Sequence, residues 1–354
     1  MYLEHFGLSR QPFQITPDTD FFFPGAERQD TLNGLIHSAE HNEGIIKVVG
    51  EIGSGKSLLC RMLANQLPDN FQVVFLANPN LNADAVVTAI LGDLGVAPAP
   101  NGFNHPTQLL QRYLLEQNQQ NRRVLLLVEE AQAMPPATLE ALRLLTNLET
   151  AKTKLLRMIL FGQPELDQTL NTHALRQFRD RITQSFYLRA VQLDESGAYL
   201  HHRLGVAGYQ GPPLFQDEVL TRLQQESAGR LRPLNILADK TLLAAYVDDA
   251  RVPTLQHLQQ ALQEINLSDP DGVSPTASAE DQEHLSWRQV AAFVGRETTA
   301  LAHQCVLKSA RITRYLMRSM ANSLKMLASH PLTLKLTSTI GKKRRAITRY
   351  YGRD

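Results

Sequence analysis

Apolar positions along the chain follow two rhythms. Ile45–Val49, Gln72–Ala77, Val124–Val128, Leu155–Phe161 and residues 184–188 are short apolar runs, read as five β-strands. Between them, apolar residues recur every three or four positions. That spacing predicts helices over Glu27–His41, Leu58–Leu67, Ala83–Leu94, Thr107–Gln119 and Ala137–Leu148. Pro135-Pro136 suits the entry to the last of these, because proline is tolerated in a first helical turn. Strand and helix in alternation predict an α/β fold with a parallel sheet of five strands. Beyond residue 192 the strands stop. Helical patterns over Asp194–Leu204, Gln216–Gln225, Leu231–Val247 and Thr254–Ile265 predict a small all-helical lid. The first 25 residues, rich in Phe and Pro, read as an irregular segment packed on the core. The expected organisation is an α/β core over 1–192, a lid over 193–267, a flexible Pro-, Gly- and Ser-containing linker over 268–285, and a tail over 286–354.

The first strand runs into Gly50-Glu51-Ile52-Gly53-Ser54-Gly55-Lys56-Ser57, and a helix follows from Leu58. This is G-x-x-x-x-G-K-S in its required setting of strand, loop and helix. Glycines let backbone N–H groups turn inward around phosphate oxygens, and the helix aims its positive dipole end at the same anion. Lys56 is expected on the β- and γ-phosphates of a nucleotide and the Ser57 hydroxyl on Mg²⁺. About 80 residues on, Val124–Val128 ends in Glu129-Glu130, where parallel sheets place their ligand chemistry. Glu129 is expected to hold Mg²⁺ through water, and Glu130 to orient and polarise an attacking water.

Composition narrows the setting. In 354 residues there is no apolar run long enough for a membrane-spanning helix. The N-terminus lacks a basic stretch followed by an apolar one, so no secretory signal is expected. The two cysteines, Cys60 and Cys305, offer neither a disulfide framework nor metal-ligand spacing, which fits a reducing cytoplasm. Cys60 reads as a small buried apolar residue. The net charge of +1 conceals a split: residues 1–285 carry 22 Lys+Arg against 33 Asp+Glu (−11), and residues 286–354 carry 14 against 2 (+12). A basic tail of this kind points to an anionic surface.

Several segments together resemble the AAA+ ATPases of the ExeA type, the general secretion pathway protein A group. They are the opening Tyr2–Leu8 with Pro12-Phe13, Thr16-Pro17-Asp18 and Phe21-Phe22-Phe23; the glycine-rich loop; Glu130-Ala131-Gln132; Gly162–Leu166; and Tyr199–Leu204. Within that group the chain looks most like the ATPases of mannose-sensitive haemagglutinin pilus biogenesis, and the resemblance covers residues 1–267. It implies a P-loop AAA+ core with a helical lid, Mg·ATP hydrolysis, homo-oligomers, and work on pilus or secretion machinery from the cytoplasm, peripheral to the inner membrane. Gly50–Leu58 would cradle the nucleotide, with Leu58 closing the loop. Gln163 falls at the family's sensor position and Arg232 at its lid arginine, although Leu231 stands where the family has proline. Of Arg176, Arg179 and Arg181, the last is the first choice for an arginine acting on a neighbouring subunit. The relatives carry Asp where this chain has Glu129. The extra methylene moves the carboxylate about 1.5 Å toward the metal, and slow turnover would follow from the strict geometry of Mg²⁺. The transposition ATPases, which deliver target DNA, share the same core. A DNA-associated switch and a nucleotide-binding scaffold with slow hydrolysis are therefore alternatives.

The resemblance stops before the tail. Val290, Val294, Leu301, Cys305, Ile312, Leu316, Met320, Leu324 and Leu327 form an apolar stripe with Arg288, Arg296, Lys308, Arg311, Arg314, Arg318 and Lys325 among them. A basic amphipathic helix on an anionic membrane, a phosphate-binding segment for nucleic acid, and a helix packed on the acidic core all fit this pattern. No DNA-reading motif of known spacing is present, which favours the membrane over nucleic acid.

Overall fold

A computed structural model describes residues 2–41, 44–96, 105–151 and 153–268. The tail over 286–354, and the linker apart from Ser268, lie outside the described residues. By its contacts the chain divides into two units, Met1–Gly272 and Val273–Asp354, and everything below concerns the first.

The elements run α1 (Tyr2–His5), α2 (Arg28–His41), β1 (Ile45–Gly50), α3 (Lys56–Gln66), β2 (Phe71–Leu76), α4 (Ala83–Asp93), α5 (Pro106–Gln119), β3 (Arg123–Val128), α6 (Pro136–Leu145), β4 (Leu156–Gly162), α7 (Glu165–Leu170), α8 (Arg176–Arg179) and β5 (Ile182–Leu188). Then come α9 (Leu193–Val206), α10 (Asp217–Ser227), α11 (Leu231–Val247) and α12 (Leu255–Ser268). The strands form one parallel five-stranded sheet in the order β2-β3-β4-β1-β5. Its central strands, β1, β3 and β4, are buried on both faces. Val124, Leu126 and Val128 enter one apolar cluster and Leu125 and Leu127 the other, which explains the unbroken apolar run of β3. β4 sits between β1 and β3, so the ends of all three strands lie side by side.

The third cluster belongs to the last four helices. Tyr199, Leu200, Leu204, Leu223, Leu234, Leu242 and Leu258 pack together, and Phe6, Leu8, Phe13 and Phe21 from the N-terminal segment join them. That segment was expected against the core. It is instead a strap seated in the helical cluster. Arg203 on α9 fixes it, donating to Pro12 O at 2.6 Å and Gln14 O at 3.3 Å, with its guanidinium 4.7 Å from the centre of the Phe21 ring. Ser9 N–H donates to Ala207 O at 2.8 Å, and Tyr2 O–H to Asp239 Oδ1 at 2.7 Å. A further bond, from Arg61 Nη1 to Pro17 O at 2.7 Å, ties the strap to α3.

Differences from the sequence reading are local. α3 begins at Lys56, two residues early, because the loop hands its last residues straight into the helix. α6 ends at Leu145 rather than Leu148. The short helices α7 and α8 were not expected, since six and four residues are too few to show a helical period. No helix among the described residues is long and apolar enough to cross a membrane.

Candidate nucleotide site

β1 ends at Gly50 and α3 begins at Lys56. The intervening turn needs left-handed backbone at Gly53 (φ +75°) and Gly55 (φ +99°), conformations that glycine adopts without steric cost. Space is as limiting as conformation: a Cβ on Gly53 would lie 2.4 Å from the Cβ of Arg232. Lys56 is buried, and its Nζ donates to Gly50 O at 2.6 Å and Glu51 O at 3.0 Å. Burial pulls its pKa down, and Glu130 is the carboxylate that opposes this most. Ser54 is also buried, and its Oγ has no hydrogen-bond partner among the described residues. Glu51 and Ile52 are exposed at the tip of the loop, and Ser57 and Leu58 are half-buried where the helix starts.

The carboxylates arrive from β3. Ser57 Oγ donates to Glu129 Oε2 at 2.9 Å, joining the loop to the end of β3, two strands away. Glu130 takes left-handed backbone (φ +52°, ψ +40°) before a 3-10 turn over Ala131–Ala133. Its Oε2 accepts from Gln163 Nε2 at 3.1 Å and from Gln132 Nε2 at 2.7 Å. Gln132 Oε1 accepts in turn from the Gln163 backbone N–H at 3.0 Å, so the three residues close a ring. Cys60 is buried, its thiol pushed up by burial and by the nearby charge of Glu129.

The helical region reaches the same edge. The backbone N–H of Arg232, in the first turn of α11, donates to Gly53 O at 3.2 Å, and the arginine itself is exposed. Beside the loop lies a cavity of about 20 Å³ lined by Phe21, Phe23, Leu58, Leu188, Tyr199 and Leu231. That is room for about one water.

Six of the expected residues therefore converge at the C-terminal edge of the sheet: Lys56, Ser57, Glu129, Glu130, Gln163 and Arg232. Arg181 does not. It precedes β5 at the opposite edge of the sheet, its carbonyl accepts from Ile45 N–H at 2.9 Å, and its Nη2 donates to Asn147 Oδ1 at 3.1 Å. A strand of seven residues separates it from the loop, roughly 20 Å of extended chain. Two further residues, Gln132 and Arg28, were not expected at the site. Gln132 lay inside a quoted motif, and its polar amide two residues past a catalytic-type carboxylate was the available signal. Arg28, buried at the start of α2, donates from Nη2 to Ser54 O at 3.3 Å; a single arginine opening a helix carries no such signal.

The arrangement defines a P-loop nucleotide protein of the AAA+ class. A family model described as AAA domain matches residues 39–170. Over 247 residues the chain is 35% identical to General secretion pathway protein A of Aeromonas hydrophila, a match covering 70% of this chain and 45% of the relative. The chain thus spans about half the length of that protein. The fold is similar to Cdc6p from Pyrobaculum aerophilum (TM-score 0.54, 14% identity, 70% of this chain and 71% of that one). It is also similar to Drosophila ORC bound to DNA (TM-score 0.56, 16% identity, 75% and 68%). The chain belongs to the AAA+ proteins of the general secretion pathway protein A type.

Proposed function

We propose that this chain binds Mg·ATP at the C-terminal edge of its sheet, hydrolyses it, and uses the cycle to shift its helical lid in assembling a pilus or secretion apparatus. The observation that carries the chemistry is one juxtaposition. The Ser57 hydroxyl lies 2.9 Å from Glu129, and the Gln163 amide 3.1 Å from Glu130, across three adjacent strand ends.

In this reading Lys56 exchanges its two backbone carbonyls for phosphate oxygens, and the loop N–H groups and the start of α3 complete the cradle. The metal site fits Mg²⁺ by donor chemistry. Ser57 and Glu129 offer hard oxygens and would hold the ion. When bound, the metal neutralises charge on the β- and γ-phosphates. Glu130 orients water and takes its proton. Oε2 already accepts from two amides, which fix where the carboxylate points. In this reading Gln163 exchanges its bond to Glu130 for the γ-phosphate before attack. Arg232 supplies positive charge from the lid, and Arg181, at the far edge, serves a neighbouring subunit of a homo-oligomer.

The secretion role is supported by the similarity to General secretion pathway protein A over 70% of this chain. The tail, outside the described residues, carries the charge and apolar stripe of a peripheral anchor on the cytoplasmic side of the inner membrane.

Lys56→Ala should abolish ATP binding, because the phosphates lose their main side-chain partner. Glu130→Gln should keep binding and lower turnover by about 10²-fold or more, the range for loss of a general base. Equal steady-state turnover by Glu130→Gln and wild type would rule the reading out.

A further inference from the structure

Arg28 is 5% exposed, and the hydrogen bonds of its guanidinium go to backbone carbonyls. Nη2 donates to Ser54 O at 3.3 Å and Arg189 O at 3.4 Å, Nη1 to Ala26 O at 3.5 Å, and Nε is buried with no partner among the described residues. Burying a cation this way is costly unless hydrogen bonds and an opposite charge offset it, and here the carbonyls and the nearby Glu195 do so. What it touches is telling. Ser54 belongs to the phosphate loop, and Arg189 follows β5 on the way to α9. In a trans peptide the C=O and the following N–H point in opposite directions. A Ser54 carbonyl drawn back to Arg28 therefore turns the Gly55 N–H away from Arg28. Gly55 supports this with φ +99°, and the loop is held on its other side by Ser54 N–H to Glu51 O at 3.1 Å and by Arg232 N–H to Gly53 O at 3.2 Å.

We propose that Arg28 is a positioning residue of the phosphate cradle: it pins the Ser54–Gly55 peptide so that its N–H faces the phosphates, and ties that peptide to the base of the helical lid. The tie to the lid is continuous. Arg189, whose carbonyl Arg28 holds, makes two bonds to Glu195 at 2.6 and 2.7 Å, and Glu195 caps the first turn of α9 through Gln192 N–H at 2.7 Å. A cation buried behind the cradle also raises the positive potential felt by an anion there. The inference rests on the loop being a nucleotide site.

The test is calorimetric titration of the full chain with ADP, with inorganic tripolyphosphate and with adenosine. Arg28→Met should weaken ADP and tripolyphosphate by about tenfold or more, since one cradle peptide loses its anchor, and leave adenosine unchanged. Arg28→Lys, which keeps the charge with a single donor nitrogen, should recover part of the loss. In steady state, KM for ATP should rise while kcat at saturation stays within about twofold. ADP affinity unchanged in folded Arg28→Met, or adenosine weakened in the same proportion as ADP, would overturn the inference, the second by showing general damage to the pocket. Should Arg28→Met not fold, Arg28→Lys carries the same contrast between phosphate-bearing and phosphate-free ligands. Lys56→Ala separates the two levels. If that variant binds ADP normally, the nucleotide reading itself falls; if it does not, a normal Arg28→Met falls alone.

Discussion

The phosphate loop and the strap-bound helical region are built on different principles, although they meet at Gly53 and Arg232. The loop is local: eight consecutive residues, two left-handed glycines and one lysine make a cradle on the end of a buried strand. The helical region is non-local. Its core closes only when Phe6, Leu8, Phe13 and Phe21 arrive from the far end of the sequence, and Arg203 holds them through carbonyls about 190 residues away. A local site can be rigid and pre-formed, whereas a region closed by distant chain can shift as a body when its few ties change. That is the division of labour expected where nucleotide state is to be turned into movement.

The comparison can be broken from the lid side first. Phe21 is 2% exposed, with Arg10 4.5 Å and Arg203 4.7 Å from its ring centre. Phe21→Ala should cost about 3–5 kcal/mol, the range for removing a buried aromatic, and loosen the strap and helices before the sheet. Hydrogen exchange should show early loss of protection in α9–α11 while β1, β3 and β4 stay protected. Uniform loss across both would mean that strap and sheet form one cooperative block. From the loop side the effect is smaller. Gly53→Ala forces an ordinary residue into φ +75° with a Cβ 2.4 Å from Arg232, a strain of about 1–2 kcal/mol. It should lower nucleotide affinity, displace the start of α11 and lower the unfolding midpoint by a few degrees. Unchanged affinity would show that the loop tolerates a different shape.

The same contrast governs what could be read in advance. The five strands and the loop were legible because each is written in a contiguous run, and β3 is the clearest case, with five apolar residues buried on two faces. β4 between β1 and β3 puts Gln163 beside Glu130, at the sensor position that the family resemblance implied. The strap was misplaced because its Phe residues have no period, and nothing local says which apolar surface they meet. Arg28 and Gln132 were missed for a related reason: their roles depend on partners 26 and 31 residues away, Ser54 and Gln163, brought close only by the fold. Short helices such as α8, one turn long, lie below the length at which periodicity speaks.

The smallest effect concerns the tie between the two regions and can be read by pH. Glu195 is brought from an ordinary 4.5 to about 2, chiefly by its hydrogen bonds to Arg189, with the Gln192 N–H adding to the effect. A carboxylate whose folded pKa is depressed stabilises the fold above its unfolded value and loses that contribution as pH falls through the folded one. Between about pH 4.5 and 2 the unfolded chain binds more protons at this site, so stability should rise with pH across that window. Glu195→Gln keeps the shape and removes the charge. Denaturant unfolding of both proteins from neutral pH downward should show wild type ahead at neutral pH and the gap narrowing as pH falls below about 4.5. The side chain is partly solvated, so the gap should be modest and should shrink with added salt. A gap that stays constant with pH would mean that Glu195 acts through its hydrogen-bonding shape in the cap of α9, and that its charge contributes nothing to holding the lid base against Arg189.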